Sequence, residues 1–399
     1  MNVKKLLKKI TPNVLLDAYH YSMPLIGSVI FGFPSRKLIV IGVTGTSGKS
    51  TTVEFITRIL EAYGAKVASI SSIRFKIGKD EWQNKLKMTT PGRFIIQKFL
   101  RQAVDAGCNY AVLEIASEGI KQHRHRFINF DMAVFLNLTP EHLDSHGGFE
   151  NYRNEKLKLF EVTKNAHVVN TEDKNAQYFL DIPAKKVITF GNNIEHINLQ
   201  LLGEFNQMNA AAAMAVATHY GVPKDVCVKV LEEVKGMPGR LEVISKDPIV
   251  VVDYAFTPDQ LEASYTAVKS FSNNKSLVCV LGACGGGRDK WKRSVLGRLA
   301  SQNCREIIIT NEDPYDEDPW EIMEQVAEGV ESQRDEYHLI LDRREAIKKA
   351  LTLASPSDAV VITGKGAEPL MCLADGKKIP WDDREVVKEE LKNMQISKF

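Results

Sequence analysis

The chain has almost no net charge, no paired cysteine motif and no long unbroken apolar run, and each absence removes a class of protein. Fifty-two Lys and Arg stand against 50 Asp and Glu, a formal charge of +2 over 399 residues. No basic excess therefore points to a nucleic acid as substrate or partner. The six cysteines (Cys108, Cys227, Cys279, Cys284, Cys304, Cys372) are scattered without a CxxC pair. They read as reduced thiols of a cytoplasmic protein, neither a disulfide framework nor a zinc site. The apolar stretch 14–33 is interrupted by Asp17, His20 and Pro24, which spoils a membrane span, and no small-residue cleavage site marks a signal peptide. Fixed-period repeats and low-complexity tracts are absent. With 44% hydrophobic and 26% charged residues, the composition is that of a folded protein of two or three domains.

What is present is an alternation of strand-like and helix-like segments. Apolar, β-branched runs at 38–43, 110–115, 132–138, 166–170 and 186–190 are separated by helical periodicities. That pattern predicts an α/β fold with a mainly parallel sheet. Gly236-Met237-Pro238-Gly239 is the strongest punctuation in the middle of the chain and is taken as a domain boundary. Further runs at 249–252, 276–281, 306–310, 338–341 and 359–363 predict a second, smaller α/β unit. The expected layout is an N-terminal helical extension over 1–36, a central domain over 37–236 and a C-terminal domain over 237–399. The extension opens with Lys4, Lys5, Lys8 and Lys9. It reads either as an amphipathic helix packed on the first domain or as a basic, apolar segment lying on a membrane surface.

The sharpest local signal is Gly45-Thr46-Ser47-Gly48-Lys49-Ser50-Thr51 between a strand and a helix. Backbone N–H groups of such a loop cradle phosphate oxygens, the lysine reaches the β/γ-phosphates and the serine hydroxyl ligates Mg²⁺. Val43 stands where the usual GxxxxGKS pattern has its first glycine. Glu114 ends an apolar strand, where a carboxylate faces the ligand crevice. The run 137–147 places His142 and His146 with Glu141 and Asp144 directly after another strand, a candidate for metal binding or catalysis that fits no zinc spacing. In the second half, the loop 282–290 joins four glycines to Arg288 and Lys290, suited to a second phosphate or carboxylate. Asp253 and the segment 310–314 also lie at strand ends.

In order along the chain, these motifs resemble those of the Mur ligase family, in its UDP-N-acetylmuramoyl-tripeptide synthetase branch. The matching stretches are GVTGTSGKSTT (42–52), TTP (89–91), LEIASEG (113–119), NLTPEHLDSHG (137–147), YRNEKLKLF (152–160), GEFNQMNAAAA (203–213), GMPGRLE (236–242), VDYAFTPDQL (252–261), ACGGGRDKWKR (283–293), EDPYDEDP (312–319) and GKGAE (364–368). The resemblance implies a central P-loop ATPase domain and a C-terminal Rossmann-like domain. It implies an ADP-forming ligase of peptidoglycan biosynthesis, cell-wall biogenesis and cell shape, using ATP and Mg²⁺. A substrate carboxylate takes the γ-phosphoryl group, and the amine of an incoming amino acid then displaces phosphate from the acyl phosphate.

By matching position, the resemblance assigns Lys49 to the phosphates and Ser50, Glu114, His142 and Lys156 to Mg²⁺, with Lys156 carbamylated. Asn206 and Asn209 match adenine-side positions; Arg240 and Asp253 match nucleotide contacts. Thr89, Thr90 and Ser117 match positions that touch the peptide substrate, and Arg288, Asp313, Tyr315 and Glu368 the amino-acid side. Expected partners are an amino acid and a peptide precursor, with a monomeric chain. The departures fall on specificity. Only residues 1–36 stand in the place of the family's uridine-nucleotide-binding domain. Asp-Asn-Pro-Arg of the diaminopimelate enzymes is Glu312-Asp313-Pro314-Tyr315 here, and Glu118, Phe256 and Ala367 each replace a histidine. Glu312 and Asp313 are expected to present negative charge to the amino acid. Rival readings are a ligase for another acceptor (a lipid-linked precursor, a polyglutamyl chain or a storage peptide) and a nucleotide-gated protein without turnover.

Overall fold

The computed structural model describes residues 12–191, 195–330 and 337–396; the lysines at 4, 5, 8 and 9 lie outside them. The chain divides into two compact units. One holds the residues through Pro140, with Gly147–Leu199 and Phe205–Val234; the other holds Glu141–His146, Gln200–Glu204 and the chain from Lys235 onward.

The first unit is built on strands β1 (Ile39–Thr44), β2 (Val67–Ile70), β3 (Arg74–Ile77), β4 (Asp80–Gln83), β5 (Tyr110–Glu114), β6 (Phe130–Phe135), β7 (Ala166–Asn170) and β8 (Lys186–Phe190). Their order in the sheet is β4-β3-β2-β5-β1-β6-β7-β8. The long apolar runs pair in parallel, as buried strands of this composition do. The short meander β2–β3–β4 is antiparallel and was not legible in the sequence, because Asp80–Gln83 is wholly exposed and carries no apolar pattern. The central strand β1 sits between β5 and β6, so the loops after these three strands open at one edge of the sheet, where the strand order reverses.

Helix Asn13–Ile30 belongs to this unit and packs on helix Arg93–Asp105. Its inward side carries Tyr21, edge-on to the rings of His123 and Phe127, and Ser28, whose hydroxyl donates to the carbonyls of Pro24 and Phe127.

The second unit contains β9 (Glu242–Lys246), β10 (Ile249–Val252), β11 (Ser276–Leu281), β12 (Cys304–Thr310), β13 (Tyr337–Ile340) and β14 (Asp358–Ile362), in the order β13-β12-β11-β14-β10-β9. All pairs are parallel except the edge pair β9–β10. A short hairpin, β15 (Leu370–Cys372) with β16 (Lys378–Pro380), follows.

One expectation fails here. Cys279 and Cys304 are joined in a disulfide. They lie 25 residues apart in sequence, but β11 and β12 are neighbours in the sheet and bring their Cα atoms to 6.0 Å. A βαβ crossover makes such pairs without any short cysteine spacing. Cys108, Cys227, Cys284 and Cys372 are free thiols.

Candidate active site

In the first unit the glycine loop follows β1 and leads into helix Lys49–Ala62. Gly48 starts that helix with φ +81°, and a Cβ there would lie 2.1 Å from Asn209 Oδ1, so the position takes only glycine. Asn137, just beyond β6, holds the loop: its Oδ1 accepts the N–H groups of Thr46 (3.1 Å) and Ser47 (2.8 Å). The Lys49 ammonium donates to the carbonyls of Gly45 (3.0 Å) and Thr46 (2.8 Å), placing its charge inside the loop.

Glu114, at the end of β5, is 3% exposed. Its carboxylate accepts the Ser50 hydroxyl (2.8 Å), the Ser72 N–H (2.7 Å) and the Ser72 hydroxyl (3.1 Å). This is a set of oxygens only, which suits a hard cation such as Mg²⁺. Among the described residues no three His, Cys, Asp or Glu side chains converge on a metal-sized site, so any cation here draws on hydroxyl, carboxylate and ligand oxygen.

Lys156, from helix Phe149–Val162, is fully buried; its ammonium donates to the Gly45 carbonyl at 2.9 Å and lies 4.7 Å above the Tyr152 ring. Burial, reinforced by the Lys49 charge and opposed by Glu114, holds Lys156 well below the ordinary lysine range. Burial thus favours the neutral amine, the form that adds carbon dioxide. A carbamate would supply the anionic oxygen that an ammonium cannot.

Asn206 and Asn209 lie buried on helix Phe205–His219, bonded to one another at 2.9 Å, with Asn209 reached by the Thr52 hydroxyl at 3.4 Å. Thr90 bridges the Glu114 carbonyl (3.1 Å) and the Ala116 N–H (2.9 Å), Thr89 meets Ser72 at 3.0 Å, and Ser117 opens the next short helix. The structure therefore brings Lys49, Ser50, Glu114, Lys156, Thr89, Thr90, Ser117, Asn206 and Asn209 to one edge of the first sheet. Ser72 and Tyr152 join them; the Tyr152 hydroxyl bonds Thr46 Oγ1 at 2.9 Å. Ser72 was missed because it lies 42 residues from Glu114, with no motif around it.

His142, Arg240, Asp253, Arg288, Asp313, Tyr315 and Glu368 belong to the second unit. The buried Asp253 carboxylate accepts the N–H groups of Leu241 (3.1 Å) and Tyr254 (2.8 Å); burial raises its pKa and Arg240 opposes the rise. The Arg240 guanidinium stacks on Tyr254 at 4.1 Å, and the Tyr254 hydroxyl donates to Glu368 at 3.1 Å. Arg288 lies 3.4 Å from His142 Nδ1.

The carboxylates after β12 are not disposed as expected. Asp313 is 3% exposed and accepts the buried Lys365 ammonium at 2.9 and 3.0 Å and the Cys372 N–H at 2.7 Å. Glu312 is 2% exposed and accepts the Cys284 thiol at 2.8 Å. Burial raises its pKa, against the pull of Arg343. The Asp313 charge is thus answered internally by Lys365. Tyr315, held at φ +53°, lies against Gly286, where a Cβ would come within 2.6 Å of its ring.

Comparison with known proteins agrees with this layout. Residues 43–197 match the Mur ligase middle domain, and residues 239–366 match the Mur ligase, glutamate ligase domain. The chain is 35% identical, over 94% of its length and 81% of the relative's, to the UDP-N-acetylmuramoyl-L-alanyl-D-glutamate--2,6-diaminopimelate ligase of Clostridium tetani. The Bacillus cereus enzyme of the same name is 33% identical over 95% and 83%. A solved structure of a ligase of that name superposes with a TM-score of 0.59 at 29% identity, covering 90% of this chain and 79% of that one. The folylpolyglutamate synthase of Mycobacterium tuberculosis complexed with ADP shares the fold, with a TM-score of 0.71 at 18% identity over 91% and 94%.

Proposed function

For a chain that belongs to the Mur ligase family, we propose that the loop after β1 and the residues gathered around it carry out the activation step of peptide extension. The protein is an ATP-dependent, ADP-forming ligase that adds an amino acid to a peptidoglycan-precursor peptide through an acyl phosphate. The observation that carries the site reading is the junction of Lys49, the Ser50–Glu114 pair and the buried Lys156 at one sheet edge.

The loop N–H groups and Lys49 hold the phosphates and neutralise the charge that develops on them. Mg²⁺, when bound, would supply positive charge against the phosphates. Ser50, Glu114 and, once carbamylated, Lys156 would offer it oxygen, and His142 matches a further cation-ligand position of the family. Thr89, Thr90 and Ser117 lie beside Glu114, where the acceptor carboxylate is oriented. Asn206 and Asn209 serve the adenine side; Arg240 and Asp253 complete the nucleotide contacts. Arg288, Asp313, Tyr315 and Glu368 form the amino-acid side, where Tyr315 leaves no arginine fork for a second, distal carboxylate. The substrate is then an amino acid such as lysine, ornithine or a small neutral one, although the relatives above are named for diaminopimelate.

The test is ADP release on addition of a carboxylate-ended peptide precursor, UDP-linked or lipid-linked, together with an amino acid. Release that needs both substrates supports the reading; release indifferent to them refutes it. Lys156→Ala should be inactive and partly rescued by a small added carboxylate, and failure of any carboxylate to rescue counts against the carbamate.

A second observation concerns the place of work. No helix among the described residues is long and apolar enough to cross a membrane, and the reading is a cytoplasmic, monomeric enzyme. Yet Leu15, Tyr19, Ile26, Val29 and Ile30 are exposed along one side of helix Asn13–Ile30, the spacing of a single helical face. Asp17, the only charged side chain in that helix, is bonded to His123 at 2.8 Å. With Lys4, Lys5, Lys8 and Lys9 just upstream, this face suits an anionic lipid surface. Sedimentation with vesicles containing phosphatidylglycerol, and none with neutral vesicles, is expected; equal binding to both, or to neither, contradicts it.

A further inference from the structure

We infer that Asp289 and Lys292 are positioning residues that clasp the backbone on both sides of His142 and so fix its imidazole beside Arg288. The inference rests on the reading of His142 as a cation ligand.

The need for a clasp is local. His142 sits at φ +58°, a left-handed conformation that costs a side-chain-bearing residue energy and persists only where its surroundings enforce it. The short turn Leu143–His146 that follows is too brief to hold itself, since it has the orphan N–H groups of any helix start and barely one turn of its own bonds.

The glycine loop after β11 supplies what is missing. Asp289, 2% exposed, accepts the Leu143 N–H on Oδ2 (3.0 Å) and the Asp144 N–H on Oδ1 (2.9 Å). A charged acceptor on two backbone donors is the strong form of a helix cap. On the other side of His142, Lys292 meets both oxygens of Glu141 at 3.0 and 3.2 Å, each side chain 3% exposed. Glu141 gains little from burial by itself, which raises its pKa against the opposing pull of Lys292; its value lies in being held. Between the two attachments Arg288 comes within 3.4 Å of His142 Nδ1. One stretch of six residues (288–293) thus fixes residues 141, 143 and 144 across about 150 positions of sequence, and sets the histidine by the residue assigned to the amino-acid side.

The test needs no turnover. In the full-length protein, amide exchange at Leu143 and Asp144 should speed up at least about tenfold in Asp289→Ala, since a buried charged acceptor is lost. Asp289→Asn, which keeps one carbonyl oxygen, should fall between, and it carries both readouts if the alanine variant does not fold. Binding of Mn²⁺ in the presence of a non-hydrolysable ATP analogue should weaken by about tenfold in Asp289→Ala, approaching His142→Ala. Unchanged exchange in Asp289→Ala overturns the clasp. Weakened Mn²⁺ binding in His142→Ala but not in Asp289→Ala overturns its role in positioning. Wild-type Mn²⁺ binding in His142→Ala would instead refute His142 as a ligand, leaving the exchange result to judge the clasp.

Discussion

The two sheets both carry a glycine loop, a lysine and a carboxylate at their carboxyl ends, yet they use charge in opposite ways. At the end of β1 and β5, Lys49 donates to backbone carbonyls of its own loop, and Glu114 accepts from hydroxyl and amide donors. At the ends of β12 and β14, Lys365 is paired with Asp313 and Glu368, and Arg343 with Asp383. There the charge holds the protein's own backbone together. Counting charges in a motif therefore does not by itself forecast ligand chemistry, because the fold can engage those charges in ion pairs of its own.

The largest effect expected from this contrast is on stability in the second unit. Asp313→Ala removes one of the two carboxylates on the fully buried Lys365 ammonium and should cost about 3 kcal/mol, measured by denaturant unfolding. A cost below about 1 kcal/mol would mean the pair is not structural. Lys49→Ala should do the reverse: little change in folding, and a loss of ligation of about a hundredfold or more. A folded variant within a few-fold of wild type would refute the phosphate site.

Acid should separate the units next. His125, 0% exposed in the first unit, has its pKa lowered by burial to about 3. Below the ordinary value near 6.5 the unfolded chain takes a proton that the folded chain refuses, so stability falls as pH drops from about 6.5 towards 3. In the second unit, burial raises Glu312, Asp253 and Glu141, so the folded state holds protons more tightly and mild acidity is favourable above their unfolded values. Exchange protection should fall in the first unit between pH 7 and 5 and hold in the second. His125→Phe should reduce the first unit's loss by about 1–2 kcal/mol at pH 5. Equal loss in both units would break the comparison.

The residues gathered after β1 and β5 were more legible in the sequence than the contacts of the second unit, for physical reasons. The loop at 45–51 and Glu114 follow or end apolar strands, and Lys156 lies in a motif of helix Phe149–Val162 that the family resemblance marks. Most of the parallel strands announced themselves as apolar runs, whereas β3, β4 and β9 are short, partly or wholly exposed and antiparallel, and left no such trace. The Cys279–Cys304 bond, the Ser72–Glu114 contact and the hold of Asp289 on residues 143 and 144 all depend on register or on distant loops meeting. The charge expected of Glu312 and Asp313 was legible; the pairing of Asp313 with Lys365 and the thiol bond of Cys284 to Glu312 were not, because those partners arrive from other strand ends.

The smallest effect lies in choice of amino acid. Tyr315→Arg should raise turnover of diaminopimelate relative to lysine by about tenfold, as a fork for the distal carboxylate is restored. An unchanged ratio would place specificity on Arg288, Lys290 and Glu368.

The most direct test of the account is phosphate release by the wild-type protein across the twenty amino acids and diaminopimelate, with ATP, Mg²⁺ and UDP-linked or lipid-linked dipeptide acceptors. The account predicts release that requires both acceptor and amino acid, fastest with lysine, ornithine or a small neutral amino acid. Faster turnover of diaminopimelate than of every basic or neutral amino acid would contradict it.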